Sequence, residues 1–346
     1  MKNIFQSISI LISSGALIFN VSAVEVNNSQ ELLEELTKTD NVTLNTDIII
    51  NYPIHLSKNQ TLNGNGHILM INTTANTCGV MLVSGDRIIN TNFISSTDNQ
   101  DAVCGNNVND VTINTSNIIS SGVGSNGIVL NNSNKISISS TKIIKSGTGS
   151  AVLINNSSSV TLLNNVVTHT STDDSVVFNN TINSNFIGNT VAISTGSTVT
   201  QVGIVGNGGN TLTISGNQIS TASTNADAIR VVSGDNFVIT NNKFILSAKT
   251  SSLAIGIFFG NNNEAVFNIN NIIISNNDFS EFTLYNTGYF PALNFSATSV
   301  TSINSTLSLD NIIGPNQLYG GAEKGSIING YVSFKDGNVF PKSASF

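Results

Sequence analysis

The stretch Val160-Thr161-Leu162-Leu163-Asn164-Asn165-Val166-Val167 decides how this chain folds, because its arrangement recurs. Ile136-Ser137-Ile138 leads to Ile143 in the same way, and Val111-Thr112-Ile113 leads to Ile118. An earlier copy is Arg87-Ile88-Ile89-Asn90-Thr91-Asn92-Phe93-Ile94. Later copies run from Leu212-Thr213-Ile214 to Ile219, from Phe237-Val238-Ile239 to Phe244, and from Ile272-Ile273-Ile274 to Phe279, with a looser one around Phe186 and Val191. The third residue of each copy serves as a marker: Ile89, Ile113, Ile138, Leu162, Phe186, Ile214, Ile239 and Ile274, in steps of 24, 25, 24, 24, 28, 25 and 35. A repeat of this length signals a solenoid, and the longer steps place insertions in loops on one face.

Within each copy the apolar residues alternate, so the segments are short strands with one face inward. Strands of three to five residues cannot bury that face alone; stacking coil on coil builds a continuous core. Three positions after the markers stand Asn92, Ser116, Thr141, Asn165, Asn189, Asn217, Asn242 and Asn277. Asn tolerates left-handed backbone angles. Its amide can also bond the identical amide of the next coil, forming a ladder. A second strand follows in each coil, among them Val80-Met81-Leu82, Ile128-Val129-Leu130, Val152-Leu153-Ile154, Val176-Val177-Phe178, Ile229-Arg230-Val231 and Ile257-Phe258-Phe259. Beyond these come Asn132, Asn156, Asn180 and Asn261, a second candidate ladder. Two strand-plus-turn units per coil predict an all-β parallel β-helix rather than a leucine-rich repeat.

At the start of the repeat, Asn28 and Glu31 can form a capping box for a helix over Ser29 to Thr37, with Leu32, Leu33 and Leu36 on one face. Such a helix would cover the open end of the solenoid. Strands at 42–44, 48–50 and 54–56 follow, then Thr61-Leu62-Asn63-Gly64-Asn65-Gly66. This capping helix, strand series and Gly-Asn-Gly turn, with the repeated Val-x-Ile-x-x-Asn-x-Ile units, resembles the pectin-lyase-like superfamily of right-handed parallel β-helix proteins. The resemblance spans roughly residues 25 to 315 and is specific for architecture; the superfold carries lyases, hydrolases, epimerases, adhesins and phage tailspikes. The resulting division is a signal peptide at 1–23, a cap with the first strands at 24–59, β-helix coils at 60–315 and a C-terminal cap at 316–346.

Composition narrows the functions. Charged residues make up 10% of the chain, Asn about 16%, and the formal net charge is −7. Arg87 and Arg230 are the two arginines. An acidic, arginine-poor chain is a poor partner for nucleic acid or anionic lipid. Lys2, the apolar run from Ile8 to Phe19 and the small residues of Val21-Ser22-Ala23 read as a secretory signal cut after Ala23. No later segment has the apolar length of a membrane-spanning helix. The expected location is therefore outside the cytoplasm: secreted, surface-held or periplasmic. Cys78 and Cys104 fall on neighbouring coils, about two residues out of step; in an exported chain they either form a disulfide or pack as two buried thiols.

Candidate chemistry is sparse. The resemblance implies that an enzyme of this family would bind polysaccharide with its loops and one exposed sheet. A polygalacturonase-like hydrolase would show Asn-Thr-Asp, Asp-Asp, Gly-His-Gly and Arg-Ile-Lys on successive coils. Here Asp173-Asp174 stands directly before the strand Ser175 to Phe178, where that family places its aspartate pair. Two close carboxylates can divide acid and base roles. Arg230, with Asp227 nearby, could hold a uronate carboxylate. The previous coil offers Gly147-Thr148-Gly149-Ser150 without an aspartate, the next Thr200-Gln201-Val202-Gly203 without a histidine, and Arg230 is followed by Val231. A lyase would also need calcium, for which Asp86, Asp98, Asp101 and Asp110 form a thin set. His55, His67 and His169 lack metal-ligand spacing, and His169, near Asp173, reads as a solvated loop residue.

Two readings remain. One is a non-catalytic secreted or surface β-helix, adhesin-like or glycan-binding, without a cofactor. The other is a polysaccharide-degrading or modifying enzyme built on Asp173, Asp174, Asp227 and Arg230. The incomplete motif favours the first.

Overall fold

The computed structural model describes residues 23–73, 77–194, 201–222, 226–246, 255–260 and 267–281, and strands at 293–296, 300–304, 308–310, 318–321, 327–329 and 333–335. Residues 1–22, where the sequence predicts a signal peptide, lie outside that set, as do Asn261 and most of 316–346.

The chain is an all-β parallel solenoid with, among the described residues, one short helix. Helix α1 (Ser29–Leu36) starts where the sequence places it. Asn28 Oδ1 accepts the amide of Glu31 at 2.9 Å, and the Glu31 carboxylate accepts the amide of Asn27 at 2.8 Å. Leu32 and Leu36 are buried against the first coils, so the helix covers one end of the core.

Each regular coil holds three strands, one more than the sequence pattern suggests. In one coil these are Ser158–Leu163, Val166–His169 and Val176–Asn179. All pair in parallel with their counterparts one coil away, as in Val167↔Val191 and Val152↔Val176. The first and second strands read as one unit in the sequence because only a tight turn separates them. In two later coils the third strand runs on into the following first strand, giving the long strands Gln201–Ser215 and Ala226–Thr240. Parallel pairing continues to Ser333–Lys335.

The inward residues Val160, Leu162, Val167, Val176 and Phe178 are fully buried, and their counterparts above and below extend the same core. At the tight turn, Asn165, Asn189, Asn217, Asn242 and Asn277 form a buried ladder. Nδ2 of Asn165 donates to Asn189 Oδ1 at 3.0 Å, Asn189 to Asn217 at 3.1 Å, Asn217 to Asn242 at 2.9 Å, and Asn242 to Asn277 at 3.0 Å. The left-handed residue is not the ladder asparagine but the one before it, as at Asn164 (φ 54°), Asn241 and Asn276. In earlier coils the ladder position is hydroxylic: Thr91, Ser116 and Thr141. Asn92 is one residue out of register, because Ile88, not Ile89, is the inward partner of Ile113. Two adjacent isoleucines leave the alternation ambiguous there.

Candidate functional site

The third strand of each coil begins with two consecutive buried residues, which breaks the in–out alternation and marks a bend. The pairs are Gly79-Val80, Ala102-Val103, Gly127-Ile128, Ala151-Val152, Ser175-Val176, Gly203-Ile204 and Ala228-Ile229. The first member is always small because the next coil lies against it: a Cβ on Gly203 would sit 2.6 Å from the carbonyl oxygen of Ala228. Side chains just before the bend and two residues after it therefore flank one longitudinal elbow. Asp101, Asn126, Ser150, Asp174, the buried Val202 and Asp227 occupy the first column; Cys104, Val129, Leu153, Val177, Val205 and Arg230 occupy the second.

Two crosslinks span this elbow. Near the N-terminal end Cys78 is bonded to Cys104, with Cα atoms 6.0 Å apart. Cys78 pairs in register with Asp101, so the two cysteines are three residues out of step, and the bend makes up the offset. Farther along, Arg230 bonds Asp227, Nε to Oδ2 at 2.9 Å and Nη2 to the same oxygen at 2.5 Å. The guanidinium also lies over the Phe258 ring, 5.4 Å from its centroid.

The four candidate residues are thus only partly convergent. Asp174, half-buried, lies two coils from Asp227 and Arg230, within reach of their charges but not bonded to them. Burial pushes its carboxyl above the ordinary range and the charge of Asp173 adds to this, while Arg230 and the Val202 amide oppose it. Asp227 is 2% exposed; burial pushes it up to about 6 despite its bonds to Arg230. Asp173 is exposed and turns the other way, accepting the backbone amide of Gly149. The Asp173-Asp174 dipeptide therefore divides between two neighbourhoods.

On the Asp173 side lies a group that the sequence reading missed. Lys145 and His169 are register neighbours in the second strands, and both are fully buried. The Lys145 ammonium donates to Gly122 O at 2.9 Å, to Ser125 Oγ at 3.2 Å and to the Ser146 carbonyl. Burial pushes its pKa down to about 8, with Asp173 and Asp101 pulling it back. His169 Nε2 donates to Gly149 O at 3.1 Å, and Nδ1 has no hydrogen-bond partner. Burial lowers its pKa, and the neighbouring Lys145 charge lowers it further; the Gly149 carbonyl and Asp173 act in the opposite sense. His169 is therefore not a solvated loop residue. Alternation was the available signal: with Ile143 and Val167 inward, residues two further on point inward as well.

The acidic residues considered for calcium are dispersed. Asp98 accepts the Val123 amide at 2.8 Å and Asp101 that of Asn126 at 2.8 Å. Asp86 is buried and accepts from Gln60 and Val83, and Asp110 pairs with Lys135 at 3.7 Å. Among the described residues no group of three or more His, Cys, Asp or Glu side chains is placed to hold a metal ion. No described helix is long and apolar enough to cross a membrane.

The coil geometry defines a parallel β-helix protein, the architecture that the sequence resemblance leads one to expect. No family model and no curated protein matches the sequence. Among solved structures, the chain is similar to the surface protein and adhesin PfbA of Streptococcus pneumoniae: TM-score 0.52 and 12% identity, over 90% of this chain and 100% of that one. It is also similar to ORF18 of Geobacillus virus E2: TM-score 0.50 and 12% identity, over 68% of this chain and 50% of that one. The A-module of the Azotobacter vinelandii mannuronan C-5 epimerase AlgE4 aligns with TM-score 0.45 and 14% identity, over 84% of this chain and 90% of that one. At these identities the likeness is one of fold.

Proposed function

We propose that this chain is a secreted or surface-exposed β-helix that binds polysaccharide or cell-surface glycan without cleaving it. The observation that carries the reading is the pairing of Arg230 with Asp227. The cation best placed to hold an acidic sugar is bonded to a buried carboxylate, and truncating either partner would leave the other charge buried. Asp173 and Asp174, the acids nearer solvent, have separate partners, and the basic Lys145 and His169 are closed inside the solenoid. The adhesin likeness supports the reading at the level of fold.

The test is incubation of the purified chain with a polysaccharide panel, with and without calcium, following polymer length by size exclusion and retention by co-sedimentation. Retention without shortening is expected. Shortening of one polymer that disappears in the Asp173→Ala/Asp174→Ala double variant would establish the enzyme instead.

A further inference from the structure

The corner joining the third strand of one coil to the first strand of the next carries side chains ordered along the solenoid axis. Asn155 Nδ2 donates to Asn131 Oδ1 at 2.8 Å, and Asn179 Nδ2 to Asn155 Oδ1 at 2.9 Å. Beside this column Asn180 donates to Asn156 at 3.2 Å, with both backbones left-handed. Past the corner, Ser158 Oγ donates to Asn134 Oδ1 at 2.8 Å, and on the adjoining face Asn185 Nδ2 lies 3.5 Å from Thr161 Oγ1. Two coils on the ordering persists: Asn236 donates to Asn210 at 2.8 Å and Thr240 to Ser215 at 3.1 Å.

These ladders differ from the buried one in a way that matters for binding. An amide has two N–H donors and two acceptor lone pairs. Each axial bond uses one donor of one residue and one lone pair of the next, leaving the others for solvent. Because the Asn131, Asn155 and Asn179 side chains are only half-buried, the spare groups face outward once per coil, at the strand spacing of about 4.8 Å. The side chains are already ordered, so a ligand would not have to freeze them. Set among them, Leu163 and Ile182 are 37% and 48% exposed, giving the surface apolar spots between hydrogen-bonding groups.

Charge selects the ligand. Across the first-strand face the outward series Thr112, Ser137, Thr161, Asn185 and Thr213 is uncharged, and the exposed Arg87 stands only at its N-terminal end, one coil before Thr112. The nearby Asp110 and Lys135 pair with each other. The chain as a whole carries −7, which repels an anionic polymer. Resting on the glycan-binding reading above, we infer that this corner and face form a binding surface for an uncharged, hydroxyl-rich linear polysaccharide lying along the solenoid axis. Affinity comes from repetition over successive coils rather than from one deep pocket.

The experiment titrates the parent chain with cellohexaose, chitohexaose and hexagalacturonate by calorimetry at low and high salt. In parallel the side-chain amide NMR signals of Asn155 and Asn179 are followed. A neutral hexamer is expected to bind with little salt dependence and to shift both signals. The Asn155→Asp/Asn179→Asp variant, its fold checked by thermal melting, should bind about tenfold more weakly. Gln218→Glu, on the exposed surface of the second-strand stack, should bind as the parent does. Neutral binding that leaves the two amide signals and the double variant's affinity unchanged would overturn the surface while leaving the glycan reading intact. Binding of hexagalacturonate alone would overturn the charge argument. Binding of none of the three would remove the glycan reading and this surface together.

Discussion

Replacing Asn217 by Ala removes one rung of the buried ladder, and the cost follows from its bonds. Its Oδ1 accepts the backbone amide of Asn189 at 2.7 Å and the side-chain amide of Asn189 at 3.1 Å. Its Nδ2 donates to Phe186 O and to Asn242 Oδ1, each at 2.9 Å. The residue is 1% exposed, so water does not take over these roles. Four bonds at roughly 1 kcal/mol each give a destabilisation of about 4 kcal/mol, with the stranded Asn189 amide as the costliest remnant. The ladder position also indicates a partial rescue. In an earlier coil Ser116 Oγ accepts the Thr91 amide at 3.2 Å and donates to Asn114 O at 2.9 Å. Asn217→Ser should therefore supply an acceptor for Asn189 and recover about half of the loss. Guanidinium unfolding gives the overall ranking, parent above Ser above Ala, and hydrogen exchange at the Asn189 amide reads the rung directly. An Ala variant within about 1 kcal/mol of the parent, or a Ser variant below Ala, would refute the reasoning.

Two other perturbations test the elbow. Asp227 is held at about 6 against a usual 3.8, so the fold favours its protonated form. Its contribution is fully present below 3.8 and is lost as pH rises through 6, about 3 kcal/mol in all. Subtracting the pH-stability curve of Asp227→Asn from that of the parent isolates this group, together with its coupling to the likewise raised Asp174, from Asp86, which is raised in the same sense, and from Lys145 and His169, which are lowered. The difference should fall between pH 4 and 7, and a flat difference would show that Arg230 fully offsets the burial. The Cys78→Ser/Cys104→Ser variant opens a loop closed over 26 residues and should lose about 3.5 kcal/mol in denaturant melts. Equal melts for parent and variant under oxidising conditions would contradict that estimate.

The core was legible because a period-2 pattern repeated at a nearly constant step leaves few alternatives: Val160, Leu162 and Val167 are inward as read. The ladder from Asn165 to Asn277 was legible for the same reason. Where two apolar residues adjoin, as at Ile88-Ile89, alternation loses its phase, and Asn92 was displaced by one. The elbow was hidden because Gly, Ala and Ser at its first position carry no common hydropathy; only their small size is shared. Arg230 and Asp227 were visible as neighbours, but their mutual bonding depends on that bend. His169 was obscured by residue type, since an imidazole suggests a polar loop before its strand phase is considered, and Lys145, two residues beyond Ile143, shares that inward phase.

The disulfide has a mechanical consequence. A solenoid pulled from its N-terminal end peels coil by coil, and each coil of about 25 residues pays out up to roughly 85 Å of extended chain. Between Cys78 and Cys104 the load passes through the sulfur bridge instead of the backbone, so the 26-residue span withholds its slack. Under tension the coil behind the bridge keeps its length until the bridge is reduced.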